Sequence, residues 1–345
     1  MYYLENFWQK GVEFLNSKYA ILGGAMSWVS EHNLVAAISN AGGFGVLACG
    51  SMPPNLLDAE IKATKKLTNN SFGVNLIIMH PQLEELIEIC KLNNVSHVVL
   101  AGGIPRVNNI LSIKAAGIKV MCFAPALSIA KKLIKNGADA LIIEGMEAGG
   151  HIGPVTTFVL AQEIIPHIDA VPIFMAGGIG RGEAMATLLQ MGAAGCQLGT
   201  RFVCAKESIA HPNFKRVFIK SSSREAVLSI QLDNDFPVIP VRAIANNATK
   251  EFLSAQQDAI SCFKGGELSK EQAQLKIEHY WAGALRRAVI DGDIDSGSIM
   301  AGQSVGLVTH EQTVQEIIDE LIEQAENALI KNSNKMLELN KRLAK

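Results

Sequence analysis

The chain has 345 residues, 48% of them hydrophobic and 19% charged, enough apolar material for a large core and against intrinsic disorder. Its 31 basic and 33 acidic residues nearly cancel, which argues against a nucleic-acid partner, since that footprint needs a basic excess. No apolar run reaches the roughly 18 residues of a membrane span, and the opening Met1–Trp8 lacks a basic stretch followed by an apolar one. The expectation is a cytoplasmic protein with no membrane contact.

Apolar runs of strand length alternate with segments of helical period. The strands are expected at 19–24, 44–49, 72–78, 97–102, 119–124, 140–144, 172–176 and 195–199, and the helices near 31–41, 54–68, 82–93, 106–116, 127–136, 156–166 and 182–191. Near-continuous apolar strands imply a parallel sheet covered on both faces. Eight such units in about 200 residues fit a TIM (β/α)8 barrel. An open doubly wound sheet is disfavoured, because no G-x-G-x-x-G follows the first strand. After the eighth strand the regularity breaks. Residues 205–299 read as a mainly helical cap over the mouth, with segments at Lys250–Phe263 and Ser269–Val289. The barrel then comprises 1–204 and 300–345. In 311–343 the apolar residues Val314, Ile317, Ile318, Leu321 and Ile322 line one helical face. That face suits the eighth barrel helix or a homodimer contact.

The six cysteines include no C-x-x-C pair, so no metal is expected and the thiols read as reduced and mostly buried. The segment Asp291–Gly302 opens like a calcium loop but has Ser296 at position six and Gly302 at position twelve, which rules out an EF-hand. It reads instead as a return to the mouth, placing Ser298, Met300 and Gln303 there.

Chemistry is expected where strands end in glycine. The sixth strand ends at Glu144, followed by Gly145-Met-Glu-Ala-Gly149-Gly150-His151-Ile-Gly153. A histidine in such a turn is a candidate proton-transfer group, and His151 is preferred over His80, the next best placed. Glu144 ends an otherwise apolar strand and needs a partner, such as a ligand hydroxyl. Strands seven and eight end in Gly177-Gly178 and in Gln197-Leu-Gly199-Thr200. Turns at those positions of a barrel suit a phosphate, held by exposed amides. Gly24, Ala25 and Met26 could lie along a flat ring, and Asn75 could bond its edge. A phosphate-binding lyase or isomerase is a remote reading, since no strand-end lysine supports it.

Taken together, Gly24-Ala-Met26, Ala41-Gly-Gly-Phe-Gly45, Phe72-Gly-Val-Asn75, the Glu144–Gly153 run, Ala176-Gly-Gly-Ile179, Gln197–Phe202, Ala205-Lys-Glu-Ser208 and Met300-Ala-Gly-Gln303 resemble one family. It is the nitronate monooxygenase (2-nitropropane dioxygenase-like) and FMN-dependent enoyl-acyl-carrier-protein reductase family. The resemblance covers roughly residues 18–310. It implies an FMN-bearing barrel with His151 as the catalytic histidine. Gly24, Ala25, Met26, Asn75, Glu144, Gly149, Gly150, Gly177, Gly178, Gln197, Gly199, Thr200, Ser298, Met300 and Gln303 would surround the flavin. The Gly150–Gly153 turn, Ala210–Asn213 and Gly292–Ser298 look nearer the reductase branch. That branch implies NAD(P)H as reductant and an enoyl thioester as substrate, with acyl carrier protein as one carrier. The other branch oxidises alkyl nitronates with O2. The chain departs from the family at Gly23, Ala25, Arg181 and Leu100–Gly103, positions that bear on substrate and nicotinamide preference.

Overall fold

The computed structural model describes residues 3–50 and 52–343; the first two residues of the Met1–Trp8 stretch lie outside them. The strands are β1 Ile21–Gly23, β2 Val46–Ala48, β3 Gly73–Ile77, β4 His97–Ala101, β5 Lys119–Phe123, β6 Ala140–Glu144, β7 Gly150–His151, β8 Ile173–Ala176, β9 Gly195–Leu198, β10 Ala226–Leu228, β11 Val241–Ile244 and β12 Ile299–Met300. Eight of them form a parallel sheet in the order β1-β9-β8-β6-β5-β4-β3-β2. The ends meet at Phe44, whose amide donates to Ile21 O at 2.8 Å and whose carbonyl accepts from Gly23 at 2.9 Å. The sheet is therefore a closed TIM barrel.

Seven helices at the expected positions cover it, from His32–Asn40 to Gly182–Gln190. The eighth position is filled by Val314–Leu343, which packs between those two. The approach is close because Gly182 has no side chain: a Cβ there would lie 2.1 Å from Leu321 O and 2.5 Å from Ala325 N. Arg201, only 5% exposed, ties the same helix to β9, donating to Glu320 at 2.5 Å and Gln312 at 3.0 Å.

In-register parallel neighbours share a face, and faces alternate along a strand. His97 and Phe174 fix which face is inward. A helix over Glu5–Leu15 delivers Phe14 to the barrel floor, where its ring meets His97 edge-on at 5.0 Å and Phe174 at 6.0 Å. Phe44 closes on His97 from the other side at 4.8 Å. The Lys119 ammonium sits over the Phe14 ring, and Phe14 O takes bonds from both Lys119 and His97. Burial holds the His97 imidazole neutral, with its pKa lowered to about 4. The sequence pattern did not reveal this floor.

The segment after β9 is more mixed than a helical cap. Phe214 and Phe218, on the helix Pro212–Lys220, pack with the barrel core. A second core gathers Phe236, Phe252, Ile260, Ile277 and Trp281 under the helices Asn247–Lys264 and Lys270–Val289. Both helices begin with capping boxes, at Asn246 and Ser269. A small antiparallel sheet joins this unit to the barrel. Strand β11 pairs with β10, β12 and β7, matching Val241 with His151 and Ala243 with Met300.

Candidate active site

The register places three polar side chains on the barrel's inward face. Leu22, Gln197, Ala176 and Glu144 lie side by side across β1, β9, β8 and β6. Two residues below them are the floor residues Phe174 and Gly195. Asn75 is inward on β3 by the same parity, paired with Val99 and two residues beyond the His97 row. Its Nδ2 donates to Val99 O at 3.2 Å. Among the described residues nothing bonds the Glu144 carboxylate or the Gln197 side-chain amide. Desolvation in the absence of a partner raises the Glu144 pKa to about 8. The carboxyl is therefore largely protonated at neutral pH.

Above this row the strand ends draw together. Gly145 donates to Ala176 O at 3.0 Å. Gly177 and Gly178 both adopt left-handed backbone, with φ of 96° and 70°. A Cβ on Gly177 would lie 2.7 Å from Thr157 Oγ1 and 2.8 Å from Gly145 O. Glu147 caps the next helix, accepting from the Thr157 amide at 2.9 Å and its hydroxyl at 3.0 Å. Residues 299–303 lie across the same turn: Gly302 donates to Thr200 Oγ1 at 3.0 Å and Gln303 to Glu147 O at 2.9 Å. Gly149 is pressed against them, since its Cβ would meet Ala301 C and Gly302 N at 2.6 Å. Across the mouth, the Gly24 amide donates to Leu198 O at 2.8 Å, and the Met26 sulfur is the nearest atom to a Cβ built on Gly199, at 3.5 Å. No described residue accepts from the amides of Gly178 or Thr200.

The turns after β1, β6, β8 and β9 and the strap at 299–303 thus meet at one end of the barrel. Ala25 and Met26 are half-buried beside them. Ser298 is 1% exposed, and its hydroxyl has no partner. A cleft of about 550 Å³ opens beside Gly177, Gly178, Gln303 and Leu307, but Asn75, Glu144, Gln197 and His151 do not line it. It lies beside the turns, outside the inward-facing row.

His151 stands on β7 with its Nε2 2.9 Å from Glu278 of the cap. Other histidines are committed elsewhere. His80 and His211 use Nδ1 to accept from the amides of Gln82 and Asn213. His97 belongs to the floor, and His32 lies between Glu31 and Glu60 at 3.0 and 2.9 Å. That trio is the only group among the described residues spaced for a metal. Its atoms already satisfy one another, with Glu31 also capping its helix. The inward lysine Lys119 sits at the floor end, beside Phe14.

Three further residues at the mouth carried no sequence signal. Glu147 lies in the glycine-rich run, but its capping role depends on Thr157 ten residues on. Glu278 becomes a neighbour of the site only through the helix Lys270–Val289, and Trp28, in the turn after β1, meets that helix from below. Trp28 adopts a left-handed backbone at φ 66°, rare for a bulky residue, and its indole donates to Ala282 O at 3.2 Å.

This is a closed TIM barrel whose turns converge at the C-terminal ends of the strands, where enzymes of this architecture carry their active sites. Residues 9–324 match the nitronate monooxygenase family, and the chain belongs to it. A Rhodococcus jostii protein, (3aS,4S,5R,7aS)-5-hydroxy-7a-methyl-1-oxo-octahydro-1H-indene-4-carboxyl-CoA dehydrogenase, is 29% identical over 91% of this chain and 94% of its own length. A probable nitronate monooxygenase of Staphylococcus saprophyticus is 26% identical, over 90% and 96%. The structure of FabK from Thermotoga maritima superposes with a TM-score of 0.83 at 33% identity, covering 94% of this chain and 98% of that one. A nitroalkane oxidase from Streptomyces ansochromogenes shares the fold, with a TM-score of 0.76 at 23% identity over 93% of this chain and 99% of that one. No helix among the described residues is long and apolar enough to cross a membrane.

Proposed function

We propose that the protein is an FMN-dependent oxidoreductase that reduces an enoyl thioester with NAD(P)H. The observation that carries the reading is the inward row of Glu144 and Gln197, with Asn75 nearby, beneath converging glycine turns. Inward polar groups ordinarily have partners; the Glu144 carboxylate and the Gln197 side-chain amide, which bond no described residue, suit a ligand with several hydroxyls. The donor set fits FMN. Gly177, Gly178, Gly199 and Thr200 would hold the phosphate through backbone amides and a hydroxyl. Glu144 and Gln197 would take the ribityl hydroxyls. Asn75 would bond the ring edge, and Gly24, Ala25 and Met26 would flank the ring. Gly149, Gly150, Ser298, Met300 and Gln303 would close the remaining side. Bound FMN supplies the hydride and electron transfer that side chains lack.

The chain's own residues do the rest. His151, on a strand held by β11, places an imidazole beside the reacting carbons, where it holds or delivers a proton. The helix Lys270–Val289 stands beside it through Glu278. A thioester substrate is favoured by the coenzyme A thioester in the name of the Rhodococcus relative. The Gly150–Gly153 turn and the Ala210–Asn213 segment, which resemble the reductase branch, point the same way. Nitronate oxidation with O2 is the second reading, favoured by the family match and the staphylococcal relative, and it would use the same cradle.

The test is spectroscopic and kinetic. The purified protein should be yellow or take up FMN, and should oxidise NAD(P)H only when a crotonyl thioester is present. Colourless protein that binds no FMN refutes the flavin. Oxygen uptake with propionate 3-nitronate and no nicotinamide would select the second reading. His151→Ala should keep the flavin band and lose about 10²–10⁴-fold in turnover; unchanged turnover removes His151 from the chemistry.

A further inference from the structure

We propose that Arg242, on β11, is the positioning residue for the turn that carries His151. It fastens the Met146–Gly150 run to the small sheet, and so sets where His151 and the Gly149 and Gly150 amides stand against the inward row. The inference rests on the reading of His151 given above.

The attachment is double. The backbone of Arg242 lies opposite Gly150 in the β7–β11 ladder, with Val241 opposite His151. Its side chain reaches back along the same run, and Nε donates to Met146 O at 3.0 Å. One residue therefore holds both ends of Met146–Gly150. Nη1 donates to Ala226 O at 2.6 Å, so β10 is tied to the same guanidinium. Val241 packs in the cap core and Ile244 in the barrel core. Alternation along the strand puts Arg242 on the side of Ile244.

The choice of residue argues that the geometry matters. Arg242 is only 3% exposed, and among the described residues no carboxylate forms an ion pair with it. The charge of Glu147 acts on it from a distance, while that carboxylate is committed to the Thr157 amide and hydroxyl. A buried charge without an ionic partner is costly, and an apolar side chain of similar volume would fill the space at less expense. What a guanidinium supplies is a rigid planar fork, here with Nε and Nη1 directed at carbonyls on two separate elements. Lysine presents all its donors from a single atom and lacks that fork. Neighbouring peptides of the run are tied by backbone: the Met146 amide donates to Val155 O at 2.8 Å, and Glu147 O accepts from the Gln303 amide at 2.9 Å. At Met146 O the tie is a side chain, so a substitution removes it.

The test uses the flavin-loaded full-length protein. Arg242→Met removes both bonds and the charge; Arg242→Lys keeps the charge and loses the fork. Both should lower kcat with a crotonyl thioester by about tenfold to a hundredfold, the effect of a reacting group misplaced by about 1 Å. KM should change less than about twofold, since the loss falls on the chemical step. Hydrogen exchange read by mass spectrometry gives a measure that needs no turnover. Residues 145–153 should exchange at least about tenfold faster in both variants while 270–289 keep the wild-type rate, which separates local release from a general loss of stability. In His151→Ala, adding Arg242→Met should lower kcat no further. Should Arg242→Met fold poorly, Arg242→Lys carries the test. Wild-type kcat in either variant overturns the proposal, as does unchanged exchange of 145–153 or a full additional loss in the double variant. Should the wild type turn over no enoyl thioester while exchange of 145–153 still responds, the functional reading fails and the hold of Arg242 on the run stands.

Discussion

Glu144 supplies the sharpest test of the inward-facing row. Its carboxyl is raised from an ordinary 4.5 to about 8 by burial, so it folds neutral and must be desolvated when charged. Between those pH values the unfolded chain has lost this proton and the folded chain keeps it. Stability is then fully present below pH 4.5 and is lost as pH rises toward 8. At about 1.4 kcal/mol per pH unit, the full interval amounts to roughly 5 kcal/mol. Water reaching the carboxyl from the mouth reduces this, and an effect of about 2 kcal/mol is the least expected. Glu144→Gln keeps the shape and cannot ionise. Urea unfolding of flavin-free protein at pH 5, 6.5, 8 and 9 should give a variant that matches the wild type at pH 5 and exceeds it increasingly toward pH 9. A difference that does not change with pH would show that the carboxyl is solvated or paired, and the case for a waiting ligand partner would lose its main support.

Other outcomes follow from the floor and the turns. His97, held down to about 4 from 6.5, binds its proton first in the unfolded chain, so roughly 3 kcal/mol should be lost as pH falls from 6.5 to 4; His97→Gln should flatten that limb in the same titration. Gly177→Ala forces a side chain onto a φ of 96° with its Cβ 2.7 Å from Thr157 Oγ1. The backbone effect alone exceeds about 1 kcal/mol, and thermal melting should show a drop of several degrees. Arg201→Ala leaves Glu320 facing a vacated buried site. A loss of about 2–3 kcal/mol in urea is expected, below the range for a fully buried pair because Glu320 is partly exposed.

The barrel was legible because its signals are local. Each parallel strand is an apolar run such as Ala140–Ile143, and each helix has its own period and boundary. Helices expected at 54–68 and 127–136 occur at Pro54–Leu67 and Leu127–Lys135. The strands came out shorter than their apolar runs, as β1 does at Ile21–Gly23, since apolar residues flanking a strand stay buried without joining the ladder. Glycine turns at strand ends were equally readable, because Gly177 and Gly178 need a backbone that other residues resist. What stayed hidden depends on distant pairing. Phe14 looks like any helical aromatic until the barrel places His97 and Phe174 above it. Strand β7 has two residues and no pattern of its own; β11, some ninety positions later, creates it. Glu278 lies on a polar helix face, and only the docking of the cap gives it His151.

That late partner has a consequence for how the molecule is made. On a ribosome, all eight staves emerge before residue 241 does, so the nascent chain can curl into a cylinder while His151 still lacks its neighbour. The segment bearing it acquires a ladder only when β11 and then β12 have been synthesised. The seat of the imidazole is thus completed only late in translation, and a product arrested near residue 240 would lack both that seat and the eighth helix of the barrel.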